Sequence, residues 1–400
     1  MKVIQINAVY EYSSTGRTTT ELHEYLQENG VDSYVFCCNK SFPEKNVFKI
    51  GNKWDYRIHS FLSHLLGLQG LFSYFSTKKM LKHLDKISPD IVHLRVLHSN
   101  CVNIPLLLKF LSKRNIATVI TLHDCWFFTG HCCYFIDSKC DKWKIQCGNC
   151  PDLKTWNSSW FFDNTKYLLH TKKELFENIH NLTVVGVSDW VTSFVQYSIL
   201  KKAKHITRIY NWVDVNKFKP LETNELRKKL SLEGKFVVLG VAQNWYSTKG
   251  LKDIISVAER NTEMYFVLVG KIITEEILPK NIISVGVLSD VNELVSYYSM
   301  ADVFFNPSTR ETFGKVTVEA LSCGTPAIVY NVTASPELVK EGCGFIIESH
   351  DIETVSNKLN VIKEQGKKYY TNNCRNFVKE NFSETRLQND YLNLYKLISE

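Results

Sequence analysis

The chain is poor in the residues that break or stiffen a backbone. Only 18 of its 400 residues are glycine and 9 are proline, which excludes collagen-like repeats and proline-rich disorder. No apolar run approaches the roughly 18–20 residues that cross a bilayer, so no membrane-spanning helix is expected. The first ten residues, MKVIQINAVY, hold one lysine and no small-residue cleavage site. Their apolar run is too short for the core of a secretory leader. They read as a buried strand. Low-complexity segments and short-period repeats are absent as well.

What remains is the composition of a soluble globular protein: 44% hydrophobic and 22% charged residues. The length suits two domains better than one. Two counts stand out, a net charge of +7 and twelve cysteines. Without a leader, a disulfide framework is not expected, and the compartment reads as reducing. Six cysteines fall between Cys125 and Cys150. The charge is uneven: residues 1–220 hold 28 Lys+Arg against 18 Asp+Glu (+10), and residues 221–400 hold 20 against 23 (−3). An anionic partner therefore belongs to the first half.

Short apolar runs alternate with helical patterns. Val3–Ile6, Ser33–Cys37, Ile91–Leu94, Thr118–Leu122 and Leu182–Val187 have strand character, and Thr19–Gln27 and Asn103–Arg114 fit amphipathic helices. The alternation restarts with strands at Phe236–Val241, Met264–Val269, Ile282–Val285, Val303–Asn306 and Ala327–Tyr330. Helical patterns at Leu251–Arg260, Val291–Met300 and Thr317–Leu321 separate them. The fold class is α/β: two successive doubly wound domains with parallel sheets. The expected boundaries are 1–209, 210–382 and a last helix, 383–400, returning to the first domain. Ligands of such sheets bind at the carboxyl ends of the strands.

Three post-strand loops carry candidate chemistry. Ser13–Thr18, with Gly16 and Arg17, precedes a helix expected near Thr19, and reads either as an anion-binding turn or as an ordinary one. His123 ends a strand in Thr121-Leu122-His123-Asp124. It either donates to a sugar hydroxyl or a leaving phosphate, or is satisfied by its neighbour Asp124. The richest stretch runs from Ser308 to Leu321. Glu311 lies on the loop and Glu319 in the helix, with Phe313, Gly314, Lys315 and Val316 at the helix start. Helix amides between two carboxylates suit a phosphate flanked by hydroxylated rings.

Glu311 and Glu319 resemble the E-x7-E signature of the family 4 retaining glycosyltransferases of GT-B fold, in the run ETFGKVTVEALSCGTPAI. STGR, THD (Thr121, His123, Asp124), Val187-Ser188, Asn211-Trp212-Val213-Asp214, Lys249-Gly250, FVLVG and Ser335-Pro336-Glu337 are similar to other family landmarks, in family order. The resemblance covers essentially the whole chain. It implies two facing Rossmann-like domains with a cleft between them, and hexose transfer from a nucleotide diphosphate sugar with retention. Glu311 would contact the donor sugar and Glu319 the ribose. Gly314–Val316, Lys249 and Gly16 would meet the diphosphate, and His123 would sit beside the transferred sugar. No catalytic metal is implied. The stretch before Lys249 (Val241–Trp245) carries no basic residue where the family often has an arginine, which leaves Arg17 or Lys315 for that contact. An epimerase of the same fold, or a catalytically degenerate scaffold, are the competing readings.

In the cysteine-rich loop 125–151, Cys147-x-x-Cys150 has knuckle spacing. Cys132 or Cys133 with Cys140 would complete a tetrahedral thiolate zinc site. Reduced buried cysteines and disulfides are the alternatives. The run resembles one found in family members that build bacterial surface polysaccharides, where it lies over the acceptor side. Lys53–Lys86 is aromatic, apolar and basic at its end. It suits either a helical pair at an anionic leaflet over a lipid-linked saccharide acceptor, or helices packed on the sheet. No nucleic-acid motif accompanies the charge. The expected location is cytoplasmic, peripheral at the inner face of the membrane.

Overall fold

The computed structural model describes residues 1–39, 44–155 and 157–399. The chain divides into two units, Met1–Tyr210 with Gln388–Glu400, and Asn211–Leu387.

The first unit runs β1 (Lys2–Val9), α1 (Ser13–Glu28), β2 (Asp32–Asn39), β3 (Val47–Lys49), α2 (Lys53–Leu66), α3 (Tyr74–Ile87) and β4 (Ile91–Leu94). It continues α4 (Ile104–Lys113), β5 (Ala117–Leu122), α5 (Thr165–Glu177), β6 (Leu182–Gly186), α6 (Asp189–Ser193) and β7 (His205–Arg208). The sheet order is β3-β2-β1-β4-β5-β6-β7, all parallel. Strands β4, β5 and β6 are buried at every position, as a parallel sheet covered on both faces demands. Strands β3 and β7 were not expected. Both are half-exposed edge strands without a continuous apolar run. Helix α1 also starts at Ser13, six residues before the expected Thr19.

The second unit runs α7 (Asn224–Lys229), β8 (Val237–Trp245), α8 (Leu251–Arg260), β9 (Tyr265–Ile272), β10 (Ile282–Gly286), α9 (Val291–Met300) and β11 (Val303–Asn306). It ends α10 (Lys315–Ser322), β12 (Ala327–Tyr330), β13 (Gly344–Ile347), α11 (Ile352–Gln365) and α12 (Lys367–Asn381). Its parallel order is β10-β9-β8-β11-β12-β13. The partly exposed edge strand β13 escaped the sequence pattern, as did helices α7, α11 and α12.

The last helix, α13 (Glu384–Ser399), belongs to the first unit from Gln388 onward. There Tyr395 Oη lies 2.6 Å from His93 Nδ1, and Tyr391 Oη lies 2.9 Å from Thr121 Oγ1. Thr121 Oγ1 also meets His93 Nε2 at 2.7 Å. This buried network ties the C-terminal helix to β4 and β5.

One cysteine pair corrects the reduced expectation. Cys38 and Cys101 form a disulfide, with Cα atoms 6.1 Å apart. The end of β2 and the loop after β4 supply them, and the sheet brings together residues 63 positions apart. No helix among the described residues is long and apolar enough to cross a membrane.

Candidate active site

In both sheets the strand order reverses once, between β1 and β4 in the first unit and between β8 and β11 in the second. Loops diverge at such a switch point and leave a crevice at the strands' carboxyl ends. The sequence-derived candidates gather at these two places.

In the second unit, Lys249 closes a 3-10 turn after β8, and Glu311 lies on the loop after β11. Lys249 Nζ donates to Glu311 Oε1 at 2.7 Å and approaches Ser308 Oγ at 3.4 Å. Gly250 explains the tightness of this pairing. Its φ is +75°, and a Cβ there would lie 2.5 Å from the Pro307 carbonyl oxygen. Only glycine lets the β8 loop rest on the β11 loop. Glu311 is held from the other side, its N–H donating to Thr333 Oγ1 and its carbonyl accepting from Ala334 N–H.

Gly314 caps α10 with φ +96°. A Cβ there would come within 3.1 Å of Leu338 Cδ1. The start of α10 therefore presents its first amides close to Glu311, the geometry that favours an anion. Phe313 is buried against Phe382 and Lys315 is buried, while Val316 is half-buried. Glu319 is 1% exposed, and its Oε2 accepts from Tyr298 Oη at 2.9 Å. That bond supplies the partner a carboxylate in an apolar helix needs.

In the first unit, His123 follows β5 and Arg95 follows β4. Arg95 is 1% exposed. Its Nη1 donates to Gln5 Oε1 at 3.1 Å and its Nη2 to Thr18 Oγ1 at 2.8 Å. Nη2 also lies 3.2 Å from His123 Nε2. A guanidinium only donates, so Nε2 accepts, and the neutral ring carries its proton on Nδ1. Burial, and then the Arg95 charge, hold the His123 pKa well below its ordinary value. Asp124 is not the partner of His123: its Oδ2 pairs with His98 Nε2 at 2.9 Å, and its Oδ1 accepts from the Trp126 N–H. Sequence reasoning missed Arg95, whose only signal is a cation directly after the buried run IVHL.

Gly16 and Arg17 lie inside the first turn of α1 rather than on a loop. A Cβ on Gly16 would meet Val9 Cγ2 at 3.2 Å, so this glycine serves the close packing of α1 on β1. Beside it, a cavity of about 400 Å³ opens between the ends of β1 and β2 and the start of α2. Tyr12, Lys49, Lys53, Tyr56 and Arg57 line it.

The cysteine loop separates two neighbours. Cys132, Cys140, Cys147 and Cys150 line one small cavity. Cys133 joins His98 and Asp124 instead, their donor atoms all within 4.8 Å of one another. Burial alone lowers the His98 pKa, but Cys133 and Asp124 together hold it well above its ordinary value.

Comparisons with known proteins agree with the two-unit α/β fold. The family model described as Glycosyltransferase Family 4 matches residues 15–217, just over half of the chain. The model described as Glycosyl transferases group 1 matches residues 222–381. An uncharacterized 41.2 kDa protein in the cps region of Klebsiella pneumoniae is 24% identical over 95% of this chain and 96% of its own. The putative colanic acid biosynthesis glycosyl transferase WcaC of Escherichia coli K12 is 24% identical over 88% of each chain. The structure of Anabaena Alr3699/HepE in complex with UDP-glucose superposes with a TM-score of 0.66 at 15% identity, over 99% of each chain. The chain belongs to glycosyltransferase family 4 and has the GT-B fold.

Proposed function

We propose that the protein transfers a hexose from a nucleoside diphosphate sugar, with retention at the anomeric carbon, to a lipid-linked saccharide in the assembly of a bacterial surface polysaccharide. The observation that carries this reading is the Lys249–Glu311 pair beside the glycine-capped start of α10. The relatives from a cps region and from colanic acid biosynthesis support the pathway class. UDP-glucose bound to the Anabaena neighbour supports the donor class.

The roles follow from the chemistry. Lys249 and the first amides of α10 take the charge that develops on the departing diphosphate. Glu311 accepts from donor sugar hydroxyls, oriented by Lys249. Glu319 accepts from the ribose in addition to Tyr298, since a carboxylate takes several donors. His123, held at Nε2 by Arg95, would sit beside the transferred sugar. The bond between C1 and the phosphate oxygen breaks as the acceptor oxygen bonds C1 on the same face. The leaving phosphate oxygen takes the acceptor's proton.

The acceptor side belongs to the first unit. Its cavity carries Lys49, Lys53 and Arg57 with two tyrosines, a lining that suits a saccharide with an anionic link. Helix α2 buries only the polar His59 and Ser63 and exposes Trp54, Tyr56, Ile58 and Phe61. Phe61 continues into Trp160 at a ring distance of 5.8 Å. An outward aromatic face flanked by lysines suits the surface of an anionic leaflet, and so a peripheral cytoplasmic enzyme.

Incubation with a panel of radiolabelled nucleotide sugars and extracted lipid-linked acceptor tests the proposal. Label entering the lipid fraction, with an axial linkage from an axial donor, is expected. Sugar interconversion without acceptor, or binding without turnover, overturns it.

A further inference from the structure

Between the 3-10 turn Trp126–Phe128 and α5, the described residues form no strand and no α-helix, only the 3-10 turn Lys142–Lys144. So long a segment without regular structure needs support other than backbone ladders. Part of that support is aromatic: the rings of Phe128 and Phe135 lie 5.0 and 4.9 Å from that of Trp143. The remainder is sulfur. Cys132, Cys140, Cys147 and Cys150, from three stretches of the loop, line one cavity of about 10 Å³ together with His131 and Asp152. That is room for a single ion.

The loop backbone comes close to one of these sulfurs. Gly130 is needed for this approach, since a Cβ would lie 2.4 Å from the Thr165 carbonyl oxygen and 3.1 Å from Cys147 Sγ.

A buried cation stands near these sulfurs. Lys172 is 5% exposed, donates to the Trp126 carbonyl at 2.7 Å, and stands 4.1 Å above the Trp126 ring. It forms no salt bridge among the described residues. Cys147, Cys132 and Cys133 lie near enough to act on it electrostatically, so an anionic centre there would compensate a buried ammonium. His131 is buried as well, and its Nε2 has no hydrogen-bond partner.

We propose that Cys132, Cys140, Cys147 and Cys150 bind one Zn²⁺ as a structural tetrathiolate site, with Lys172 offsetting its charge. Zn²⁺ displaces four thiol protons to solvent, and the resulting centre carries two negative charges. Four thiolates leave no open position, so the site fastens the loop and performs no chemistry. Among the described residues no three of these sulfurs lie within 4.8 Å of one another. The sulfurs of a tetrahedral zinc site lie about 3.8 Å apart, given Zn–S bonds of about 2.3 Å, so metal binding draws the loop in. Cys133 stays outside, since the neighbouring His98–Asp124 pair is already hydrogen-bonded at 2.9 Å.

The test uses the full-length protein purified without chelator. Elemental analysis should find about one zinc per chain, released to a chromogenic chelator only after a mercurial caps the thiols. Replacement by Co²⁺ should give the intense sulfur-to-metal bands of a tetrahedral thiolate site. Cys147→Ser with Cys150→Ser should lose the metal, and Cys133→Ser should keep it. Cys140→His, which preserves a ligand, should keep the metal with weaker charge-transfer bands, and it answers the question if the double variant does not fold. Zinc-free protein with four titratable thiols overturns the proposal. So does the same loop closed by disulfides, or zinc that follows His98→Ala rather than the four cysteines.

Discussion

Lys249 Nζ and Glu311 Oε1 meet at 2.7 Å across 62 positions of sequence. Each comes from the loop after a strand that borders the reversal of the second sheet. The pair joins the residue that would face the diphosphate to the residue that would face the sugar, so the two act as one unit.

Removing either partner should therefore cost transition-state stabilisation more than folding. Glu311→Gln and Lys249→Met should each lower kcat/KM by about 10²–10³, and the double variant should lose far less than the product of the two. Initial rates with saturating acceptor measure this. Cys147→Ser should mainly lower stability, so comparable losses of turnover per folded molecule would refute the division of roles.

Gly250→Ala tests how Lys249 is positioned. The new Cβ would meet Pro307 at 2.5 Å in a left-handed backbone conformation. The expected cost is about 2–4 kcal/mol, read as a lower denaturant midpoint. Activity per folded molecule should fall as well. A fully stable and active variant would show that the two loops are not locked together.

Two histidines make the first unit sensitive to acid. His23 and His59 are fully buried, and each ring Nδ1 lies 2.7 Å from a serine Oγ, of Ser33 and Ser73. Burial lowers both pKa values to about 4. The unfolded chain takes up these protons near pH 6.5 and the folded chain does not, so stability is present above about pH 6.5. It is lost as pH falls toward 4, by about 1.4 kcal/mol per pH unit for each histidine. Urea unfolding at pH 7 and pH 5 measures the slope. His23→Gln with His59→Gln should make it shallower, leaving the contribution of His93, His123 and His131, whose pKa values burial also lowers, and an unchanged slope would place the titration elsewhere.

The outward face of α2 and the start of α3 mark where the protein would meet lipid. Trp54 is 67% and Phe75 83% exposed, near the basic residues Lys53, Arg57, Lys78 and Lys79. Trp54→Ser, Phe61→Ser and Phe75→Ser combined should weaken sedimentation with anionic vesicles about tenfold or more, with far-UV circular dichroism unchanged. Raising the salt concentration should weaken the wild type in the same assay. Binding that ignores both changes would move the contact to another face.

Several elements were legible from residue order alone. Strands β4, β11 and β12 and helices α8 and α9 have the bounds that apolar periodicity suggests, because each is buried along its core face. The edge strands β3, β7 and β13 were not legible, since a half-exposed strand of three or four residues has no apolar run to read. Glu311 and Glu319 stood out because two carboxylates flank a glycine at a helix start, and Lys249 because Lys249-Gly250 resembles a family landmark. Arg95 did not, because nothing local distinguishes a buried arginine from an exposed one.

The order of residues determined the two α/β units, the basic character of the first half and the motifs that follow the strands, since these depend on periodicity and local chemistry. Tertiary structure decided the partners. It gave Asp124 to His98 and Arg95 to His123, turned Cys132 toward Cys147 and Cys150 while Cys133 faced away, and joined Cys38 to Cys101. Partner choice depends on which strand ends lie side by side, and that is set by the crossovers of the sheet, far apart in sequence.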